Sequence, residues 1–423
     1  GVGPVIEYAV KMRQFPQDSL LITMLETGKL TKQHIDQLAE VIAGFHHEIE
    51  SSALDKQFGT AQAVLAPVTE NFLQIRQFTG TEFEEELARL EAWSLKEHQQ
   101  RYAHFEQRKR EGFIRECHGD LHLGNIVIHE GRVTPFDGIE FNENLYWIDV
   151  ISEMAFLVMD LEDHQRSDLA CRVLNAYLQQ TGDYNGLTVL RYYQVYRAMV
   201  RAKVNSIRIN QSGSDEELAE SRQQFIDYLK LAESYTRPSK PRLIICHGLS
   251  GSGKTTVSQL LLEAMPAVRI RSDVERKRLY GLKAQQSSQS QIQNGIYTAD
   301  ASRLTYQQLL ELSQAIIDAG YTAIVDATFL KYDQRQPFKS LARQLDIPFL
   351  IVHCSTDEDI LRQRITTREK QGGDVSEAGL TVLEHQLKNQ EGFSDEEQKD
   401  CIVIETGLEI DIEPVLYWIE STG

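Results

Sequence analysis

The chain has 423 residues, 41% hydrophobic and 25% charged, with Lys+Arg 44 against Asp+Glu 62 and a net charge of −18. This is ordinary globular composition, which excludes disordered, collagen-like and mucin-like chains, and the length suits two or three domains. No run approaches the roughly 18 apolar residues of a membrane helix, no basic and apolar leader is visible, and so acidic a chain disfavours a generic nucleic-acid partner.

The chain opens Gly1-Val2-Gly3 with no initiator Met and enters at once an apparent strand, Pro4–Met12. A helix is expected over Lys32–Ile49, where Ile35, Leu38, Ile42 and Phe45 recur at helical spacing. Phe83–Phe113 reads as a long charged helix. From Cys117 to Asn142 the pattern changes to short apolar runs, Ile126–Ile128 and Val133–Phe136, broken by Gly131, which predicts a β-hairpin behind a polar loop. Helical patterns resume over Ile148–Leu178 and Leu187–Tyr235. The five cysteines (117, 171, 246, 354 and 401) are scattered, odd in number and without a CxxC pair. That argues against a disulfide framework or a zinc site and for reduced thiols in the cytoplasm.

Residues 117–125 read Cys-His-Gly-Asp-Leu-His-Leu-Gly-Asn, an H-x-D-x-x-x-x-N pattern, and Phe136-Asp137-Gly138 follows. Phosphoryl transfer needs a carboxylate to take the hydroxyl proton, and an amide oxygen with a second carboxylate to hold Mg²⁺; a hairpin brings such groups together. This part resembles the aminoglycoside phosphotransferase and choline kinase branch of the kinase-like fold, most sharply over 117–160. The resemblance implies Asp120 as base, Asn125 and Asp137 as metal ligands, His118 as a support of the loop, and Asp149 in Trp147-Ile148-Asp149-Val150 as its brace, the alternative for Asp149 being a helix cap. It also implies an N-terminal lobe. Val5–Lys11 then reads as the last strand and hinge of that lobe, with Lys11 an ordinary strand lysine, in a native protein longer by roughly 100 residues.

Thr236-Arg237-Pro238-Ser239-Lys240-Pro241 has linker chemistry. It sets the expected domains as 1–235 and 242–423 with a linker at 236–241. Divided after residue 240, the two parts carry net charges of −11 and −7, so neither is a hidden basic module. The second part alternates strands, at Leu243–Cys246, Val268–Arg271, Ala323–Val325, Phe349–His353 and Cys401–Glu405, with helical runs. Alternation of this kind predicts an α/β domain with a parallel sheet, behind a mainly helical first part.

Gly248-Leu249-Ser250-Gly251-Ser252-Gly253-Lys254-Thr255 fits G-x-x-x-x-G-K-[ST] between a strand and a helix, and Thr256 follows. Gly248, Ser250, Gly251, Ser252 and Gly253 would wrap backbone N–H groups around phosphate, Lys254 would supply a cation, and Thr255 would face Mg²⁺. Asp273, at the end of the second strand, is placed to accept a hydroxyl proton or to cap the next helix, and Arg276 to hold substrate. Asp326 ends another strand as a second metal-facing carboxylate. Arg364 and Arg368 lie four apart before Gly372-Gly373-Asp374, as an arginine lid would. This part resembles the P-loop kinases of small molecules, such as gluconate kinase and zeta-toxin-type kinases, and its Asp273-x-x-Arg276 spacing is similar to the phage polynucleotide kinase group.

The whole resembles a bacterial fusion described as a bifunctional aminoglycoside phosphotransferase/ATP-binding protein. It implies an ATP- and Mg²⁺-dependent phosphotransferase acting on small hydroxylated molecules. The alternatives are a nucleotide-gated regulatory ATPase with one degenerate half and a polynucleotide 5′-kinase-like enzyme.

Overall fold

The computed structural model describes residues 14–211, 213–283, 286, 296, 298–371 and 378–422. The expected strand Pro4–Met12, with Lys11, and the turn Gly372-Gly373-Asp374 lie outside the described residues. The longer helices of the first part are α1 (Lys32–Glu48), α2 (Ala61–Thr79), α3 (Glu84–Arg110), α4 (Val150–Asp163), α5 (Ser167–Thr181), α6 (Leu187–Gln211) and α7 (Asp215–Thr236). Two small antiparallel pairs interrupt them, β1 (Ile114–Glu116) with β4 (Trp147–Asp149) and β2 (Ile126–His129) with β3 (Arg132–Pro135).

Local sequence sets several of these boundaries. Thr31 Oγ1 accepts from the His34 amide at 3.3 Å, and His34 Nδ1 accepts from the Thr31 amide at 3.2 Å, so α1 starts in a capping box. Its buried face is Ile35, Leu38 and Ile42, as the spacing predicts, but Phe45 is exposed and His46 is buried. The expected helical run Ile148–Leu178 begins as strand β4 and then breaks at Gln165, whose φ of 60° lies in the left-handed region. The run Leu187–Tyr235 divides where Ser214 caps α7 by accepting from the Glu217 amide at 3.3 Å. Helix α2 has no counterpart among the expected elements, since Pro67 lies inside it. Helix α4 is buried at every position from Val150 to Leu161, which places it at the centre of the first part.

In the second part β5 (Leu243–His247), β6 (Ala267–Arg271), β7 (Thr322–Asp326), β8 (Phe349–Ser355) and β9 (Cys401–Glu405) form one parallel sheet in the order β6-β7-β5-β8-β9. Each expected strand is present within two residues of its ends. The longer helices here are α8 (Lys254–Ala264), α9 (Ser272–Leu279), α10 (Ala299–Asp318), α11 (Tyr332–Gln344), α12 (Glu358–Gln371), α13 (Leu380–Asn389) and α14 (Glu413–Ser421).

Residues 237–242 belong to no helix or strand, yet they do not separate two cores. Successive strand side chains point to opposite faces of the sheet. Ile244, Cys246 and Val352 pack against Val257 and Leu261 of α8 on one face. Leu243, Ile245, Val268 and Ile270 on the other face join the same buried cluster as Val173 and Leu178 of α5. Among the described residues no helix is long and apolar enough to cross a membrane.

Glu162, at the end of α4, accepts from Gln194 Nε2 at 3.2 Å and from the Tyr235 hydroxyl. Burial raises its carboxyl from the ordinary 4.5 to about 7, against those two hydrogen bonds. The folded chain therefore keeps a proton that the unfolded chain releases near pH 4.5. Its contribution to stability is complete below pH 4.5 and is lost as pH rises to about 7. Urea midpoints at pH 5 and pH 8 for wild type and Glu162→Gln test this. The variant should lose less stability between the two pH values than wild type; an equal loss would refute the assignment.

Candidate active site

The glycine-rich loop joins β5 to α8 at the carboxyl end of the central strand, where ligands bind in open α/β sheets. Gly248 (φ +148°) cannot be replaced without a clash, since a Cβ there would lie 2.8 Å from the Cys354 carbonyl oxygen. Gly253 caps α8 in the left-handed region. Lys254 Nζ donates to the carbonyl oxygens of Gly248 at 3.0 Å and Leu249 at 2.7 Å. Burial pulls this ammonium below its usual pKa, and Asp326 opposes that pull. Thr255 Oγ1 donates to Asp326 Oδ2 at 2.7 Å, so the two proposed metal-facing groups stand together as the sequence expects.

One cleft of about 1010 Å³ opens over this loop, lined among others by Lys254, Thr255, Asp273, Arg276 and Asp326. Ser250, Gly251, Gly253 and Thr256 also line it; Gly248 and Ser252 instead shape the loop from beneath. Arg276 Nη1 donates to Ser302 Oγ and to the Ile296 carbonyl, both at 3.3 Å. Arg364 lines the cleft and donates to the carbonyl oxygens of Gly251 at 3.3 Å and Thr406 at 2.5 Å, tying α12 to the loop. Arg368 also lines the cleft and donates to the Ala378 carbonyl.

Several cleft residues were not singled out from sequence. Arg271 lies 3.4 Å from Asp326 Oδ2, and its Nε is buried without a hydrogen-bond partner. Gln386 of α13 accepts from the Ser250 amide at 2.8 Å, so a side chain from a distant helix occupies one N–H of the glycine loop. Arg271 ends a strand next to Ser272-Asp273, a usable signal; Gln386 has none, because its role depends on how α13 folds back.

In the first part, Asn125 Nδ2 donates to Asp120 Oδ2 at 2.9 Å, and His122 Nε2 lies 3.5 Å from the same oxygen. Burial opposes ionisation of Asp120, but the His122 and Asn125 contacts hold its carboxyl below the usual range. The hairpin returns the chain to this loop. The Phe136 amide donates to the Asn125 carbonyl at 3.0 Å, the Ile139 amide donates to the His118 carbonyl at 2.9 Å, and His118 Nε2 lies 2.8 Å from the Phe136 carbonyl. Asp137 is exposed beside it, at φ 61°. Asp120, Asn125 and Asp137 thus belong to one loop cluster, with His118 as its support.

Asp149 does not brace that loop. It caps α4 by accepting from the Ile151 amide at 2.9 Å and pairs with Arg108 at 2.6 Å. The braces are Glu153, which accepts from the Gly119 amide at 2.7 Å, and Asp160, which accepts from the Leu123 amide at 2.8 Å. Glu153 and Asp160 lie in the apolar run of α4, where a carboxylate needs a fixed donor. His46, Cys117 and Glu153 offer donor atoms within 4.8 Å of one another. His46 already bonds Tyr177 at 2.9 Å and Glu153 at 2.8 Å, so the cluster is satisfied by its own hydrogen bonds.

The family model described as an AAA domain matches residues 243–393. With the loop and the parallel sheet it defines the second part as a P-loop domain. An uncharacterized protein of Mycobacterium tuberculosis is 28% identical over 375 residues, which span 88% of this chain and 74% of that protein; one of Mycobacterium bovis gives the same figures. Among solved structures, a sugar kinase from a Janibacter species is 19% identical with a TM-score of 0.32, covering 43% of this chain and 95% of that one. Choline kinase from Cryptosporidium parvum is 12% identical with a TM-score of 0.34, covering 52% of this chain and 70% of that one. Scores this low carry no argument about activity.

Phosphate bound at the Ser250 amide, as the sequence reading expects, would displace Gln386. Replacing Gln386 with Ala should therefore tighten ADP·Mg²⁺ binding, by about two- to tenfold for one competing hydrogen bond. Calorimetric titration measures this directly. Weaker binding in the variant would instead make Gln386 a contact of the bound nucleotide.

Proposed function

We propose that the second part transfers the γ-phosphoryl group of ATP to a hydroxyl group of a small molecule. The observation that carries this reading is the single cleft that collects the glycine loop with Lys254, the Thr255–Asp326 pair, and Asp273 with Arg276. The loop amides and Lys254 would hold the phosphates. Thr255 and Asp326 offer hard oxygen donors that suit Mg²⁺, which when bound neutralises and orients phosphate. Asp273 would take the proton of the acceptor hydroxyl. Arg364 and Arg368 would close charge onto the transferring group.

The acceptor end favours a hydroxylated anion. The cleft that holds Asp273 is also lined by Arg271, Arg276 and Lys331, whose charge supports that choice. In the first part we propose a second kinase-like site, with Asp120 as base and Asn125 and Asp137 as oxygen donors for a metal.

The test is label transfer from γ-labelled ATP with Mg²⁺ and a fractionated small-molecule extract, using the full chain. Wild type should label an anionic small molecule. Lys254→Ala should abolish this, Asp273→Asn should slow it about a hundredfold or more, and Asp120→Asn should leave it intact. Loss only with Asp120→Asn would move the activity to the first part. Release of free phosphate alone, with no acceptor labelled, would leave a nucleotide-gated ATPase, and preferential labelling of nucleic-acid ends would point to a polynucleotide kinase.

A further inference from the structure

Helix α9 has two working faces. Asp273 and Arg276, three residues apart, line the cleft. Glu275 and Arg278, also three apart, turn toward the first part. Glu275 is 2% exposed. Its Oε1 accepts from the Tyr184 hydroxyl at 3.2 Å and from Arg278 Nη1. Tyr184 is itself 1% exposed. The Arg278 guanidinium lies over the Tyr184 ring at 6.0 Å and donates to the Gln179 carbonyl. Gly182, at φ +75°, leaves the room this needs, since a Cβ there would stand 2.8 Å from Arg278 Nε.

The strand that leads into α9 is held from the same side. β6 is an edge strand, whose free N–H and C=O groups need partners. Asn175 of α5 supplies them: its Nδ2 donates to the Ala267 carbonyl at 2.9 Å, and its Oδ1 accepts from the Arg269 amide at 2.7 Å. One side chain of the first part thereby does the work of a neighbouring strand. Farther along, Arg172 joins Asp36 at 2.6 Å to Glu263, near the end of α8, at 2.5 Å.

We infer that Glu275 is a positioning residue of the P-loop site, through which Tyr184 of the first part sets where Asp273 and Arg276 stand in the cleft. A buried carboxylate with two fixed donors holds one orientation. An eight-residue helix is too short to bend, so its two faces move together. The first part then serves the second as a scaffold, whatever chemistry it carries out itself. The kinetic consequence rests on the phosphotransferase reading above; the structural consequence does not.

The experiment uses the full chain with Tyr184→Phe, which removes one hydroxyl, and with Glu275→Gln and Glu275→Ala. Urea midpoints first establish that each variant folds. Amide hydrogen exchange then compares residues 272–280 with the loop and helix at 248–264. We expect exchange over 272–280 to quicken by about fivefold in Tyr184→Phe, as loss of one hydrogen bond implies, more in Glu275→Ala, and less in Glu275→Gln. Exchange over 248–264 and affinity for ADP·Mg²⁺ should stay as in wild type. In label transfer, the acceptor KM should rise several-fold while the ATP KM is unchanged. Unaltered exchange over 272–280 in both Tyr184→Phe and Glu275→Ala overturns the inference, as does an equal rise in both KM values. Quickened exchange in a protein whose wild type labels no acceptor supports the scaffold and removes the phosphotransferase reading instead.

Discussion

A guanidinium held out of water needs its charge answered on the spot, because the cost of desolvation is several kcal/mol per ion. Arg108, 3% exposed, meets that need with two carboxylates. It reaches Asp149 through Nε at 2.6 Å and Nη2 at 2.8 Å, and Asp183 through Nη1 and Nη2, both at 2.8 Å. Each carboxylate also caps a helical turn. Asp149 starts α4, whose Glu153 holds Gly119 of the Asp120 loop. Asp183 accepts from the Gly186 amide at 3.1 Å and so shapes the turn that presents Tyr184 to Glu275. One buried triad thus fixes the starting points of the supports for both candidate sites. Taking away one member of such a set generally costs about 3–5 kcal/mol, since the remaining charge is left buried and unpaired.

The same logic explains why a chain with a clear linker is not built as two separate cores. A parallel sheet must be covered on both faces and its edges must be paired. The P-loop domain covers one face with α8 and α14, while the other shares its buried cluster with α5 of the first part. The edge of β6 is closed by Asn175. The residues at 237–242 are therefore a connection in the covalent sense only. The packing that matters crosses the boundary elsewhere.

This division also explains what sequence alone could tell. The glycine loop was legible because its chemistry is local: consecutive N–H groups, a lysine and a hydroxyl need consecutive residues. Asp326 was legible because strand ends converge in any parallel sheet; Asp273, expected at the end of the second strand, stands two residues past it in the first turn of α9. The Asp120 loop and its hairpin were legible for the same local reason. For Asp149 the sequence leaves brace and helix cap open, and the structure shows the cap. Glu153 and Asp160 serve instead, and nothing near them in the chain marks them, since their partners lie 34 and 37 residues away. Gln386 on Ser250 and Tyr184 on Glu275 span 136 and 91 residues. Pairings of that length follow from tertiary packing, which no local pattern encodes. Helix α2 was hidden by Pro67, a local signal that tertiary context overrides.

The charge distribution bears on the ligands proposed for the cleft. The chain carries a net charge of −18, yet the cleft over the glycine loop gathers Lys254, Arg271, Arg276, Lys331, Arg364 and Arg368 against Asp273 and Asp326. Behind this wall Arg269 donates to the Thr255 carbonyl at 3.2 Å. Burial, and then the neighbouring Arg271, pulls its guanidinium down to about 10. Asp326 is the one carboxylate within ion-pair distance of Arg271 among the described residues, and it is shared with Thr255. In the proposed reading, bound phosphate would answer part of this charge. In the proposed reading, a small anion would suit this cationic cleft better than a long polyanion, which a chain of net charge −18 disfavours.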